Sequence, residues 1–98
     1  MRQTLTVIYT ARLEECTLFY RGLGLEFVRE RHGSGPEHHA AVLPDGTVFE
    51  LYPAADGRST GALRLGFSLD APPDGSALEP GRQVLRDPDG RAVEIHIT

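Results

Sequence analysis

Ninety-eight residues, 40% hydrophobic and 24% charged, fit one globular domain with a thin core. The net charge of −4, with every basic residue an arginine and no basic stripe, argues against nucleic acid as a partner. A single cysteine, Cys16, excludes an intramolecular disulfide, and no apolar run is long enough to span a bilayer; the expected compartment is the reducing cytoplasm, with no membrane partner.

Leu5 to Tyr9 is β-branched and aromatic, the signature of a strand. A helix follows near residues 11 to 21, with Leu13, Cys16, Thr17 and Tyr20 at helical spacing, Glu14 and Glu15 in its first turn and Thr10 as N-cap. Gly22 and Gly24 stop it. Leu25 to Arg31 reads as a strand, His32 to Glu37 as a loop, and His38 to Leu43 as a third strand. Pro44-Asp45-Gly46 turns the chain into a fourth strand, Thr47 to Tyr52. The polar stretch 54–62 reads as a linker between a first module, 1–53, and a second, 63–98, within one domain. Leu63 to Leu69 alternates apolar and polar. Ala71 to Gly81, with its prolines and glycines, cannot hold a helix. Arg82 to Arg86 and Arg91 to Ile97 form a hairpin across Asp87-Pro88-Asp89-Gly90.

A short phrase occurs twice. Pro44-Asp45-Gly46-Thr47-Val48-Phe49-Glu50 and Pro88-Asp89-Gly90-Arg91-Ala92-Val93-Glu94 share Pro-Asp-Gly, three residues, then Glu. Each is a turn feeding a strand that carries one glutamate among apolar residues, so two related modules should place their glutamates equivalently, facing a common cleft. The second module lacks the segment that would be its helix.

The chain resembles the vicinal-oxygen-chelate superfamily, which includes glyoxalases, bleomycin-resistance proteins and extradiol dioxygenases. The resemblance rests on Leu18-Phe19-Tyr20, Leu23-Gly24-Leu25, Phe49-Glu50-Leu51-Tyr52-Pro53, Leu65-Gly66-Phe67 and the run Asp87 to Glu94. It implies an α+β fold of paired βαβββ-type modules curled around a cleft, here with the second module lacking its helix. Metal-dependent members of that family bind a divalent ion through four strand positions. The matching residues here are Leu5, Glu50, Arg64 and Glu94. Leucine cannot ligate and arginine repels a cation, so no metal or other cofactor is expected in that cleft.

Arg64 between two glutamates admits three readings: an ion-pair cluster, an anchor for a charged ligand, or a partner to Glu50 as general base. An adjacent guanidinium lowers a carboxylate pKa, which disfavours the last. Alternation adds Leu5, Val7, Tyr9 and Tyr52 from the first module and Ser68 and His96 from the second to the expected ligand-binding residues. His38 and His39, adjacent on a strand, point to opposite faces; a surface or rim position is expected for each. Cys16 reads as a small core residue.

With no second helix, Leu63, Leu65, Phe67, Leu69, Val93, Ile95 and Ile97 form an apolar face lacking intramodule cover, and a homodimer that covers it is expected. The functional readings are a metal-free small-molecule-binding protein of the glyoxalase/bleomycin-resistance type, a divalent-metal lyase, isomerase or dioxygenase, or an interaction module whose cleft is filled.

Overall fold

The computed structural model describes all residues, Met1 to Thr98. Strand β1 (Leu5–Thr10), helix α1 (Leu13–Gly22), and strands β2 (Val28–Glu30), β3 (His38–Val42) and β4 (Val48–Pro53) form the first module. Strands β5 (Arg64–Leu69), β6 (Gly81–Arg86) and β7 (Ala92–Ile97) form the second. The first sheet has the order β1-β4-β3-β2, with β1 parallel to β4; the second has the order β5-β7-β6, with β5 parallel to β7. The two sheets thus repeat one pattern, and the second lacks its helix. No helix is long and apolar enough to cross a membrane.

Two local expectations shift. Strand β2 keeps only three residues, because Leu25 and Phe27 pack against the core while β3 pairs only with Val28 to Glu30. Arg12, not Thr10, occupies the N-cap position of α1, and it makes no side-chain cap bond. Thr10 ends β1 instead, and its hydroxyl accepts the Arg12 N–H at 2.9 Å. It thereby shapes the strand-to-helix turn without being the cap.

The two Pro-Asp-Gly turns are built alike. Gly46 and Gly90 sit at φ of 90° and 85°, where a side chain would be strained. Leu43 N–H donates to the Thr47 carbonyl at 2.8 Å, and Asp87 N–H donates to the Arg91 carbonyl at 3.1 Å. Equivalent positions in the two turns therefore hold Leu43 and Thr47 in one, Asp87 and Arg91 in the other.

The core lies between the sheets. Ile8, Phe49 and Leu51 from the first sheet, Cys16 and Tyr20 from α1, and Val93, Ile95 and Ile97 from the second pack into one cluster. Phe67 brings β5 into it, 5.8 Å from Phe49 and 6.3 Å from Tyr20 between ring centroids. This corrects the expectation of an uncovered second module. Val93, Ile95 and Ile97 are fully buried within a single chain, and Leu63, Leu65, Phe67 and Leu69 pack partly buried against the same cluster. Each side chain so buried stabilises the fold by about 1.5–3 kcal/mol, a gain that needs no second subunit. One helix serves two sheets.

A buried polar network fixes how they dock. Arg91 donates to Asp87 Oδ2 at 3.0 Å and to the Thr60 carbonyl at 3.0 Å, and it pairs with Asp89 Oδ2 at 2.9 Å. The Tyr20 hydroxyl of α1 donates to Asp87 Oδ2 at 2.7 Å, and the Thr10 hydroxyl of β1 donates to Asp89 Oδ2 at 2.6 Å. Burial alone would raise the Asp89 pKa, but the Thr10 hydrogen bond and the Arg91 charge outweigh it and hold the carboxyl below its usual range. Burial and the Asp87 hydrogen bond push the Tyr20 phenol far up.

Replacing Arg91 with Leu should cost about 3–5 kcal/mol in urea unfolding, because it strands two partly desolvated carboxylates. Tyr20→Phe, which leaves the ion pair intact, should cost about 1–2 kcal/mol. Asp89 also makes stability depend on pH. Its folded pKa lies below the unfolded value, so its contribution is complete above about pH 4 and fades as acid protonates the folded carboxylate. Asp89→Asn should flatten the acid limb of a stability–pH curve; an unchanged limb would remove Asp89 from the network.

Candidate functional site

The pleat puts Ile8, Phe49 and Leu51 on the core side of the first sheet, so their neighbours project from the other side. In the ladder Leu5 lies beside Val48, Val7 beside Glu50 and Tyr9 beside Tyr52. Ala40 lies opposite Glu50, and Val28 and Glu30 lie opposite Ala40 and His38. Leu5, Val7, Tyr9, Glu50 and Tyr52 therefore share one face, as alternation predicts, and no helix or second sheet of the chain packs on it. Leu5, Tyr9, Val28 and Val42 are large apolar residues left exposed there. Tyr9 and Tyr52 pack ring against ring at 5.6 Å.

In the second sheet Gly66 lies beside Glu94 and Ser68 beside His96, so Arg64, Ser68, Glu94 and His96 share the face that turns away from Val93 and Ile95. The two glutamates do not converge. Both sheets spend their apolar faces on one core, and the acidic faces are the ones turned away from it. Arg64 pairs with Glu94 alone, its NH2 nitrogen 3.0 Å from Oε2, and both side chains are more than half exposed. The expected Arg64 cluster joining Glu50 to Glu94 is corrected on that ground. None of the principal hollows of the chain is lined by Glu50, Tyr9 or Tyr52. The most apolar of them lies between the α1–β2 turn and the end of β5, walled by Leu23, Leu25, Phe67 and Leu69. The expected cleft is an open sheet face in the single chain.

Glu50 has a different partner. It is the half-buried carboxylate of the face, 13% exposed, and its Oε2 lies 3.5 Å from Nε2 of His38. His38 is 1% exposed and its Nε2 also lies 3.3 Å from Oε1 of Glu30. Its ring is stacked flat on Tyr52 at 4.0 Å and on His32 at 5.0 Å. His32 Nε2 lies 3.5 Å from the same Glu30 oxygen. His38 is thus not a rim residue: it lies on β3 between β2 and β4, and two rings cover it. His39 points to the helix side, buried, with Nε2 3.4 Å from Glu14 and its ring near Phe27. Tyr52 feels this charge; desolvation, then Glu50, Tyr9 and Glu30, raise its phenol pKa. Cys16 is a buried core residue whose thiol burial pushes up, which suppresses the nucleophilic thiolate.

Two groups escaped the sequence reading. The Glu30–His32–His38–Glu50 cluster needs the β2–β3 register; the available signal was the i, i+2 spacing of Glu30 and His32, which puts both on one side. The Arg91 network needs the docking of the hairpin on α1; its signal was the charged pair Asp87 and Arg91 replacing Leu43 and Thr47 of the first turn.

No protein-family model and no curated protein matches the sequence. Solved structures do match the fold. A possible glyoxalase from Bacillus cereus superposes with a TM-score of 0.64 at 13% identity, covering 98% of each chain. A lactoylglutathione lyase from Agrobacterium tumefaciens gives 0.62 at 20% identity, over 98% of this chain and 92% of that one. An integron cassette protein from the mobile metagenome of V. cholerae gives 0.65 at 18% identity, over 99% and 94%. The chain has the vicinal-oxygen-chelate fold of glyoxalases and bleomycin-resistance proteins, with a shortened second module. The family's metal positions do not fit an ion here: Leu5 offers no donor, and Arg64 occupies Glu94 with a permanent positive charge.

The Arg64–Glu94 pair should prove nearly inert. A double-mutant cycle on Arg64→Ala and Glu94→Ala should return a coupling of about 0.2–1 kcal/mol, the range of exposed pairs. A coupling of several kcal/mol would restore a structural role for Arg64.

Proposed function

We propose that the chain is a small-molecule-binding protein of the glyoxalase/bleomycin-resistance type, and that it seats an organic ligand on the open face of the first sheet without a metal ion held by the family's four positions. The observation that carries this reading is the largely buried carboxylate of Glu50, set beside Val7, Tyr9 and Tyr52 with Glu30 nearby on the same sheet face. Aromatic side chains beside these acidic groups suit a modest ligand bearing a positive group. The neighbouring structures' names, a glyoxalase and a lyase, favour the small-molecule class over an interaction module.

An open face does not enclose a ligand, and a second copy supplies the missing wall in this reading. The β5-β7-β6 face of one copy, with Arg64, Ser68, Glu94 and His96, is polar and free; laid over the β1-β4-β3-β2 face of another, it sets Glu94 opposite Glu50. The homodimer therefore rests on these two faces, not on the apolar face of the second module, which the core already uses.

Light scattering on a sizing column should give the mass of a dimer at tens of micromolar. A thermal-shift screen of aromatic amines and guanidines should yield hits that Glu50→Gln weakens about tenfold or more, the loss expected when a charge-assisted contact is removed. A monomer with no hits would favour the interaction module instead.

A further inference from the structure

We infer that Glu30, His32, His38 and Glu50 form a divalent-cation site of the zinc class contained wholly in the first module. It goes beyond the binding reading above, since it requires neither an organic ligand nor a second copy. Glu30 ends β2, His32 lies two residues on, His38 begins β3 and Glu50 lies mid-β4. One nitrogen or oxygen from each lies within 4.8 Å of every other.

Three of the separations have the spacing of donors around an ion. A tetrahedral zinc with bonds of about 2.0–2.1 Å keeps its donors about 3.3 Å apart. His38 Nε2 stands 3.3 Å from Glu30 and 3.5 Å from Glu50, and His32 Nε2 stands 3.5 Å from Glu30. Charge-assisted hydrogen bonds between these groups would be shorter, about 2.7–2.9 Å. None is formed at the central nitrogen: His38 Nε2 is buried without any hydrogen-bond partner.

The other ring nitrogen says which form His38 takes. Nδ1 lies 3.2 Å from the Pro36 carbonyl, which can only accept, so the proton sits on Nδ1. In the neutral ring with that tautomer, Nε2 turns a lone pair toward two carboxylates. A buried ring nitrogen and a largely buried carboxylate facing one another beside the partly exposed Glu30 are unfavourable until a cation sits among them. An Nδ1–H bonded to a backbone carbonyl is also the arrangement that orients a ligating imidazole. The stacks on Tyr52 and His32 hold the ring in place. Two imidazoles with two carboxylates select zinc, cobalt or nickel over magnesium or calcium, which take oxygen donors. The two negative charges balance the ion. Sharing Glu50 with the family's pattern is the site's only overlap with it; the other donors come from β2, its exit and β3, where that pattern has none.

The test is calorimetric titration of Zn²⁺ into the chelator-treated full chain, with the visible absorption of Co²⁺ as a second readout. The expected result is one ion per chain, a tetrahedral cobalt spectrum and a raised unfolding temperature. Glu30→Gln and His38→Gln should each weaken binding by about tenfold or more, while Glu14→Gln and His39→Gln leave it unchanged. Glu30 is partly exposed, so Glu30→Gln remains informative if His38→Gln fails to fold. It also leaves Tyr9, Tyr52 and Glu50 in place, so loss of zinc with retained amine binding separates this site from the organic one. The inference is overturned if the wild-type chain binds neither ion. It is equally overturned if Glu30→Gln leaves binding unchanged.

Discussion

One buried guanidinium decides how this small chain is put together. Arg91 leaves the second sheet's hairpin and ends among Asp87, Asp89 and the Thr60 carbonyl, while those carboxylates reach on to Tyr20 of α1 and Thr10 of β1. A charge taken out of water must be paired in good geometry, and only one docking of hairpin on helix pairs this one. The apolar contacts around it are less particular. Hydrophobic faces accept many offsets; a fork of nitrogens between two carboxylates accepts few.

That docking explains how a chain with half the usual helices keeps a core. The second sheet presents Val93, Ile95 and Ile97 to the same Tyr20 and Phe49 that the first sheet uses. With both apolar faces committed inward, the remaining faces look away from the core. The family's four ion positions are thereby divided, two to a face, and one of them is a guanidinium already paired to its neighbouring glutamate.

The first face has concentrated its chemistry instead. A histidine with 1% exposure, stacked on a tyrosine and flanked by two carboxylates, is costly to desolvate and contributes nothing to the apolar core. Its position beside Tyr9 and the exposed Leu5 puts charge, aromatic surface and open access on one patch of sheet.

The order of elements, the turns and the parity of each strand were legible in the residues. Pro-Asp-Gly fixed both turns because glycine alone takes the required φ, and alternation sorted Leu5, Val7, Tyr9, Glu50 and Tyr52 onto one face because the pleat has a period of two. The family resemblance carried the pairing of modules. What parity cannot give is which face of one sheet meets which face of another, since that depends on contacts between residues far apart in the chain. So the sequence by itself placed Glu50 and Glu94 at equivalent points, and only the tertiary structure turned them apart, through the burial of Arg91 and the shared helix; it likewise took His38 from an expected rim into the interior, because the β2–β3 register and the Tyr52 ring, not its neighbours in sequence, set its surroundings.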